Sequence, residues 1–330
     1  MLNEGIPGWR ALCPCCVDFH AHFIQREVFE LAQPHSVSSC FGQRPLSADN
    51  PRFLGMLDPQ RQVDDMAARG IDRHVISSAD VVASRAWAEP AEEARQARLV
   101  NDMAADWVRR FPDRFVGTFV LPLGDMALAL REMERAVAMG LRVANLPSNH
   151  RGGYLGEARY EEMWSAIEEK ALVAFIHPDG VRDPWFQGYA LWNSIGQSIE
   201  EVKVMSSLIY EGVMERHPAL RIVMAHGGGY MPYYTGRLDR NATYRPDTMR
   251  NLSKPPSHYL QHFHYDSCVY DPHTLALLVR CVGADRIVLG GDYPFGDADP
   301  VGGLSALEPG QRAAIAGGNA VRLLDGGREA

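Results

Sequence analysis

Short apolar segments alternate with helix-like segments along the whole of this 330-residue chain. The apolar segments are bounded by Gly, Pro or Asp, and their apolar residues are continuous rather than alternating with polar ones. This pattern is typical of buried parallel strands that are covered on both faces. We predict strands at residues 16–22, 72–78, 114–122, 140–147, 172–178, 220–228, 263–270 and 286–293.

Helical periodicity fills the intervals between these strands. It is clearest over 91–111, where apolar residues recur near helical spacing and the pattern ends before Pro112. Asp58 and Pro59 supply a cap and a first-turn proline for a helix over 59–69. The remaining helices are predicted over 125–139, 157–170, 194–216, 272–282 and near 308–324.

Strand–helix repeats without a break in composition predict one α/β domain over 1–330, a (β/α)₈ TIM barrel whose chemistry lies at the C-terminal ends of its strands. A doubly wound open sheet is the alternative fold. That fold favours a glycine-rich phosphate turn after its first strand, and no G-x-G-x-x-G motif follows the first strand here. The long insertion after the first strand, 23–57, is predicted to act as an active-site lid, and 294–330 is predicted to close the chain.

Charge and composition narrow the class of partner. The formal charge of −8 and the absence of long runs of like charge argue against nucleic acid or an anionic membrane as the main partner and favour a small molecule. The N-terminal residues build no apolar signal-peptide core, and no window approaches the length of a membrane span. Six cysteines are too few for a disulfide scaffold. We therefore expect a soluble, cytoplasmic protein.

The sequence VDFHAH places His20 and His22 two residues apart at the end of the first predicted strand. Residues i and i+2 of a strand point to the same side, so both imidazoles face the barrel mouth. A single buried histidine is usually a core residue, but a pair at a strand end favours metal binding.

Three other predicted strands also end in a polar residue of a type that binds metals. FIHP gives His177, MAHGGG gives His226 and LGGDYPF gives Asp292. Imidazoles together with one carboxylate suit Zn²⁺ or a similar divalent ion and leave a coordination position for water. The sequence therefore predicts a metal site at the mouth of the barrel.

These motifs resemble the amidohydrolase superfamily. HAH, IHP, AHGGGYMPYYTGRLDR and GDYPF are similar to the branch that contains 2-amino-3-carboxymuconate 6-semialdehyde decarboxylase, and the similarity runs from about residue 16 to about residue 325, including DRFVGTFVLP, YDSCVYDP and GGNA. Two positions depart from the branch. The chain reads HPDG where HPWD is usual, and Gly291 stands where Thr is usual, so a pocket-lining aromatic residue is missing.

The resemblance implies a Zn²⁺ ion, with Mn²⁺ as the alternative, bound by His20, His22, His177 and Asp292. It implies that His226 lies near a metal-bound water and acts as an acid or base. Asp292 is thereby both a ligand and part of the catalytic machinery.

The resemblance also assigns the substrate-binding residues. It implies a homodimer in which Arg237 reaches a substrate carboxylate in the neighbouring subunit. Arg52 is the best match for a second carboxylate-binding arginine, and Arg44 is the alternative on the same loop. Trp192 and Phe295 are implied to flank the substrate.

The function implied is non-oxidative decarboxylation of an unsaturated or aromatic carboxylic acid, as in aromatic catabolism. The carbon that carries the carboxylate is protonated and CO₂ leaves, with the metal-bound water and His226 handling the proton and arginines holding the carboxylate. The first alternative is a metal-dependent hydrolase or hydratase acting on a ring-cleavage product. The second is a barrel that binds small acids without catalysis, although the retention of every ligand type with His226 favours an enzyme.

Two expectations concern carboxylates near the predicted mouth. Asp179, Asp297 and Asp299 are expected to be mostly solvated loop residues. Asp18, beside His20, is expected to point to the other strand face and to fix local structure.

Overall fold

The computed structural model describes residues 15–42, 46–79 and 85–325. Within them, parallel strands follow one another in chain order around a barrel, with helices outside it. The predicted α/β TIM barrel is confirmed. Its eight strands are Val17–Phe23, Arg73–Ser78, Phe115–Phe119, Val143–Pro147, Val173–His177, Arg221–Met224, Phe263–Asp266 and Ile287–Val288.

Backbone hydrogen bonds join the last strand to the first. Phe19 N donates to Leu289 O at 2.8 Å, and His22 N donates to Tyr293 O at 2.9 Å. The sixth strand is shorter than predicted because Ala225–Gly228 turns sharply away as a 3₁₀ segment. These irregular ends of the strands provide the loops that build the site.

The helices outside the barrel begin where the sequence indicates. Asp58, Asp125 and Asp271 each accept a hydrogen bond from a backbone N–H in the first turn of the helix that follows, which satisfies donors that the helix itself leaves free. The main helices are Pro59–Ala68, Pro90–Arg110, Met126–Ala138, Glu161–Glu169, Gly196–Tyr210 and Pro272–Val282.

Two predicted helices are interrupted. The segment 194–216 forms Gly196–Tyr210 and Val213–Arg216, because Gly212 takes a left-handed φ of 77° between them. A π-helical turn at Ala314–Gly318 divides the last predicted helix. Shorter helices are Leu191–Ser194, Thr235–Tyr244, Pro256–Tyr259, Pro309–Ala313 and Asn319–Leu324, and Asn149–His150 pairs with Gly153–Tyr154 in a small hairpin.

The insertion after the first strand is folded. Ile24 N donates to Met56 O at 2.8 Å, which brings its two ends together, and Phe29 and Phe53 pack in a buried cluster with Tyr293. A lid function for this segment stays a prediction. Its helices are Arg26–Ala32, Val37–Cys40 and Leu54–Leu57, with 3₁₀ turns at Gln33–His35 and Pro51–Phe53.

The interior of the barrel is filled by apolar side chains. Phe19, Val75, Phe175 and Val223 belong to one buried cluster inside the strands, while a larger cluster packs the strands against the helices. The ring of His20 lies 5.2 Å from that of Phe175, so the histidine pair rests directly on this packed floor. Among the described residues, no helix has the length and apolarity needed to cross a membrane.

Candidate metal centre and active site

Four imidazoles meet at the C-terminal ends of the strands. The ring of His20 lies 5.1 Å from His22, 4.9 Å from His177 and 5.2 Å from His226, measured between ring centroids. His177 is also 5.2 Å from His22 and 5.1 Å from His226. The structure therefore places together the histidines that the sequence distributes over three strands.

Asp292 reaches the same point from the end of the eighth strand. Its Oδ1 lies 3.1 Å from His22 Nε2 and 3.3 Å from His20 Nε2. Burial alone would raise the pKa of this carboxyl, but the surrounding imidazoles, His20 foremost, hold it well below its usual range. Asp292 thus offers a carboxylate at neutral pH.

These side chains fit a divalent cation. One donor atom each from His20, His177, His226 and Asp292 lies within 4.8 Å of the others. His20 Nε2 is buried and has no hydrogen-bond partner among the described residues, as expected of a nitrogen that faces a metal. Imidazole nitrogens and one carboxylate oxygen are the donor set that Zn²⁺ and related ions accept.

This geometric group contains His226, whereas the predicted ligand set contains His22 instead. His22 Nε2 is hydrogen-bonded to Asp292, and its Nδ1 lies 3.2 Å from Ser77 Oγ. His22 adjoins the centre through its contact with Asp292 but is not in the group of donor atoms that lie within 4.8 Å of one another. Their separate roles remain predictions.

Asp266 orients one of the central imidazoles. Its Oδ2 lies 2.7 Å from His20 Nδ1, and its Oδ1 accepts hydrogen bonds from Gly227 N and Cys268 N at 3.0 and 3.1 Å. Carboxylates behind ligating histidines fix ring orientation and raise the basicity of the ligand. Sequence reasoning missed Asp266, although a carboxylate within the seventh predicted strand, 263–270, was a usable signal.

Glu201 holds His226 in the same way. Its Oε1 lies 2.6 Å from His226 Nδ1, and the glutamate is fully buried. Burial raises the pKa of Glu201. Burial lowers the pKa of His226, but the nearby carboxylates, Glu201 first, outweigh it and raise that pKa to about 9. No sequence pattern marks this pair, because Glu201 lies inside the helix Gly196–Tyr210.

A cavity of about 680 Å³ opens above these groups. Trp192 and Phe295 line it, as the resemblance implies, and the Phe295 ring lies 5.8 Å from His22. Trp192 packs tightly over Gly180, where a Cβ atom would come within 2.6 Å of the Trp192 carbonyl oxygen. The glycine of HPDG therefore makes room for this aromatic wall.

Apart from the histidines and Asp292 of the candidate metal centre, the described cavity wall carries no charged side chain. Phe29, Val37 and Leu46 contribute apolar surface, and no Arg or Lys is among the described lining residues. Polar uncharged residues complete the wall, including Gln33, Ser36, Ser38, Asn193, Ser194, Gln197 and Ser198.

The predicted substrate arginines do not reach this cavity from within the chain. Arg52 lies in the turn Pro51–Phe53 and Arg237 in the helix Thr235–Tyr244, and both are exposed outside the cavity. Arg44 falls outside the described residues.

The expectation that Asp179 is solvated is wrong. Asp179 is 5% exposed and pairs with Arg182 at 3.1 Å, and burial raises its pKa to about 7. Arg182 also donates to His35 O at 3.1 Å and Cys40 Sγ at 2.9 Å in the insertion. Asp179 thus binds Arg182, and Arg182 joins the insertion to the loop after the fifth strand.

Asp18 lies behind the site, as expected. Its carboxylate accepts hydrogen bonds from His20 N and Gly291 N, each at 2.9 Å. A Cβ at Gly291 would lie 2.5 Å from Asp18 Oδ2, so this chain needs a glycine where the related branch usually has threonine.

A parallel barrel with imidazoles and a carboxylate gathered at its C-terminal mouth defines a metal-dependent (β/α)₈ enzyme. The family model described as Amidohydrolase matches residues 17–326. The chain belongs to this family, and the predicted family is confirmed.

The curated relatives include decarboxylases, the class of enzyme that the resemblance implies, and also a hydratase. A 2-amino-3-carboxymuconate-6-semialdehyde decarboxylase from Dictyostelium discoideum is 29% identical, with 93% of this chain and 91% of the relative covered. A more distant relative, a 2-keto-4-carboxy-3-hexenedioate hydratase from Sphingobium, is 25% identical, with 64% of this chain and 60% of the relative covered.

Solved structures of decarboxylases share the fold. The 5-carboxyvanillate decarboxylase of Sphingomonas paucimobilis superposes with a TM-score of 0.85 at 25% identity, covering 94% of this chain and 99% of that one. A dihydroxybenzoic acid decarboxylase from Polaromonas, with bound manganese and the inhibitor 2-nitroresorcinol, has a TM-score of 0.79 at 25% identity and coverages of 96% and 98%.

Proposed function

We propose that this protein is a metal-dependent decarboxylase that removes CO₂, without oxidation, from an aromatic or unsaturated carboxylic acid. The observation that carries the proposal is the set of imidazoles and one carboxylate, within 4.8 Å of one another, beneath a cavity large enough for a substituted ring. The decarboxylases among its relatives support the choice of reaction.

We propose His20, His22, His177 and Asp292 as the ligands, with His226 kept for proton transfer. His226 differs from His20 in its carboxylate partner. Glu201 Oε2 has no hydrogen-bond partner among the described residues, whereas Asp266 behind His20 also accepts two backbone hydrogen bonds. The ion is Zn²⁺ or Mn²⁺, and the manganese in the Polaromonas relative supports the second choice. When bound, the ion supplies a Lewis acid that stabilises negative charge on the substrate.

The residues of the chain perform the other steps. Trp192 and Phe295 hold the ring in the cavity above the candidate metal centre. His226, kept protonated by Glu201, donates its Nε2 proton to the carbon that carries the carboxylate. The C–C bond then breaks, its electron pair restores the unsaturated system, and CO₂ leaves.

The substrate carboxylate also needs a counter-charge. Since the described cavity wall contains no Arg or Lys, we propose that Arg237 of a second subunit enters the mouth of the cavity in a homodimer. Arg52 or Arg44 on the insertion is the proposed second arginine. The exposed position of Arg237 on its own subunit supports this arrangement.

A test of the shared site uses two inactive variants. Arg237→Ala and His177→Ala are each expected to be inactive, because one removes the donated arginine and the other a ligand. Mixing them under subunit exchange should restore up to about a quarter of the wild-type activity, since a heterodimer carries one intact site. No recovery, with exchange verified by mass spectrometry, would contradict the shared site.

Hydration or hydrolysis of a ring-cleavage product is the second candidate reaction. The distant hydratase relative supports it, and the same ligand set could activate water as a nucleophile. Incubation of the metal-loaded protein with substituted benzoic acids and unsaturated diacids in H₂¹⁸O separates the reactions. Release of CO₂ supports decarboxylation, whereas ¹⁸O in a product that retains its carboxylate supports hydration.

We place the protein in the cytoplasm, in a reducing compartment. Cys40, Cys268 and Cys281 are free thiols, which supports this location.

A further inference from the structure

Tyr270 makes a contact with the candidate metal centre for which the proposed reaction has no use. It follows the seventh strand and lines the cavity, and its hydroxyl donates a hydrogen bond to Asp292 Oδ2 at 3.0 Å. The other oxygen of Asp292, Oδ1, faces His20 and His22 at 3.3 and 3.1 Å. The two carboxylate oxygens are therefore held by different partners.

The backbone at Tyr270 is adapted to this contact. Its φ is 57°, a left-handed conformation that is unfavourable for a residue with a Cβ atom. In the described chain only seven non-glycine residues have positive φ, and three of them are His226, Tyr270 and Asp292. Local strain concentrates at functional sites, where surrounding contacts maintain it.

Packing does not account for the position of this tyrosine, because the residue is 62% exposed. Its loop is nevertheless fixed on both sides. Cys268 N donates to Asp266 Oδ1, and Asp271 caps the next helix through Thr274 N. The ring is thereby presented to Asp292 from a short, anchored segment.

The chain also leaves space for the tyrosine hydroxyl. A Cβ atom at Gly296 would lie 3.1 Å from Tyr270 Oη and 2.7 Å from the Asp292 Cβ. A larger residue at position 296 would thus press on both partners of the hydrogen bond. A tyrosine hydroxyl keeps its proton at neutral pH, so Tyr270 can donate to the carboxylate.

We propose that Tyr270 is a positioning residue that occupies Asp292 Oδ2 and so presents a single oxygen, Oδ1, to the metal. This inference rests on the proposed function, because it requires a metal at the centre. Single-oxygen coordination leaves more of the ion's surface for the substrate than a carboxylate bound through both oxygens would.

The test is Tyr270→Phe, which keeps the ring and removes the hydroxyl. Tyr189→Phe is the matched control, since Tyr189 also has a left-handed φ, 59°, and is 97% exposed but does not line the cavity. Both metal-free proteins are titrated with Co²⁺, and the visible absorption bands are followed because they report the number and geometry of ligands. Circular dichroism establishes that both variants are folded.

We expect Tyr270→Phe to bind Co²⁺ 10- to 100-fold more weakly than wild type, as is typical when an outer partner of a ligand is lost. We also expect its absorption bands to shift and weaken, because the freed Oδ2 can join the coordination. The Tyr189→Phe control should match wild type in both measurements.

A Tyr270→Phe protein with wild-type affinity and an unchanged spectrum would overturn the inference while leaving the proposed function intact. A wild-type protein that takes up no Co²⁺, Zn²⁺ or Mn²⁺ would overturn the proposed function, and the inference with it.

Discussion

The buried pair of Glu201 and His226 allows a sharp test of proton transfer. The substitution is Glu201→Gln, which removes the negative charge but keeps an oxygen that can accept the hydrogen bond from His226 Nδ1, now 2.6 Å from Glu201 Oε1. The orientation of the imidazole should therefore persist. What changes is the pKa of His226.

The size of the effect follows from that pKa. Nearby carboxylates, Glu201 first, raise the pKa of His226 against burial to about 9, so at pH 8 about 90% of the rings are protonated. Without the charge of Glu201, burial still lowers the pKa of His226, so that pKa should fall to its ordinary 6.5 or below, and about 3% or fewer of the rings remain protonated at pH 8. If His226 donates the proton, turnover should fall about 30-fold or more at pH 8.

The sign of the pH dependence distinguishes this cause from general damage. A raised pKa matters only where the two proteins differ in protonation, so the deficit should shrink as the pH falls towards the pKa of His226 in the variant. A bound divalent cation lowers the pKa of His226 in both proteins and moves the whole profile to lower pH, without changing the order of the two curves.

The assay is CO₂ release by the metal-loaded proteins between pH 5.5 and 9, with metal content measured in parallel. Glu200→Gln is the matched control, because this adjacent buried glutamate bonds to Tyr154 and Lys203 rather than to His226. A deficit of Glu201→Gln that is equal at every pH, or no deficit, would refute the assignment of His226 as a proton donor tuned by Glu201.

Two further perturbations test the ligand set and the insertion. His226→Ala should retain about one divalent ion per chain while turnover falls about 10²-fold or more. His22→Ala should lose the ion during dialysis, as measured by elemental analysis. The reverse result would exchange the roles of the two histidines. Arg182→Ala should raise KM more than it lowers kcat and should speed proteolytic cleavage of the insertion, because it removes the hydrogen bonds to His35 O and Cys40 Sγ. An unchanged KM and cleavage rate would show that these contacts do not hold the insertion in place.

The barrel could be predicted from the sequence because its determinants are local. Continuous apolar runs specify buried parallel strands, and a polar residue such as Asp58 or Asp271 before a proline specifies where a helix begins. The position of the ligands follows from the same reasoning. In a parallel barrel the ends of the strands meet, so His177 and Asp292 need only lie at strand ends to become neighbours.

The residues behind the ligands could not be predicted in this way. Glu201 lies in a helix, and only the packing of that helix against the sixth strand's loop places it on His226. The expectation for Asp179 was wrong for a related reason. A loop carboxylate is usually solvated, but here Arg182 and the insertion cover it, and the insertion's path depends on contacts that are far apart in the sequence.

The arrangement of carboxylates explains how one ring of similar imidazoles could perform different tasks. His20 is paired with Asp266, and Asp266 Oδ1 accepts hydrogen bonds from two backbone N–H groups. The negative charge of Asp266 is therefore shared among several donors. His226 is paired with Glu201, whose Oε2 has no hydrogen-bond partner among the described residues. The negative charge of Glu201 therefore acts mainly on the His226 imidazole. A dispersed charge suits a ring that binds metal, whereas a concentrated charge favours an imidazolium that gives up a proton. The difference between the roles proposed for His20 and His226 therefore follows from the hydrogen bonds that each buried carboxylate accepts.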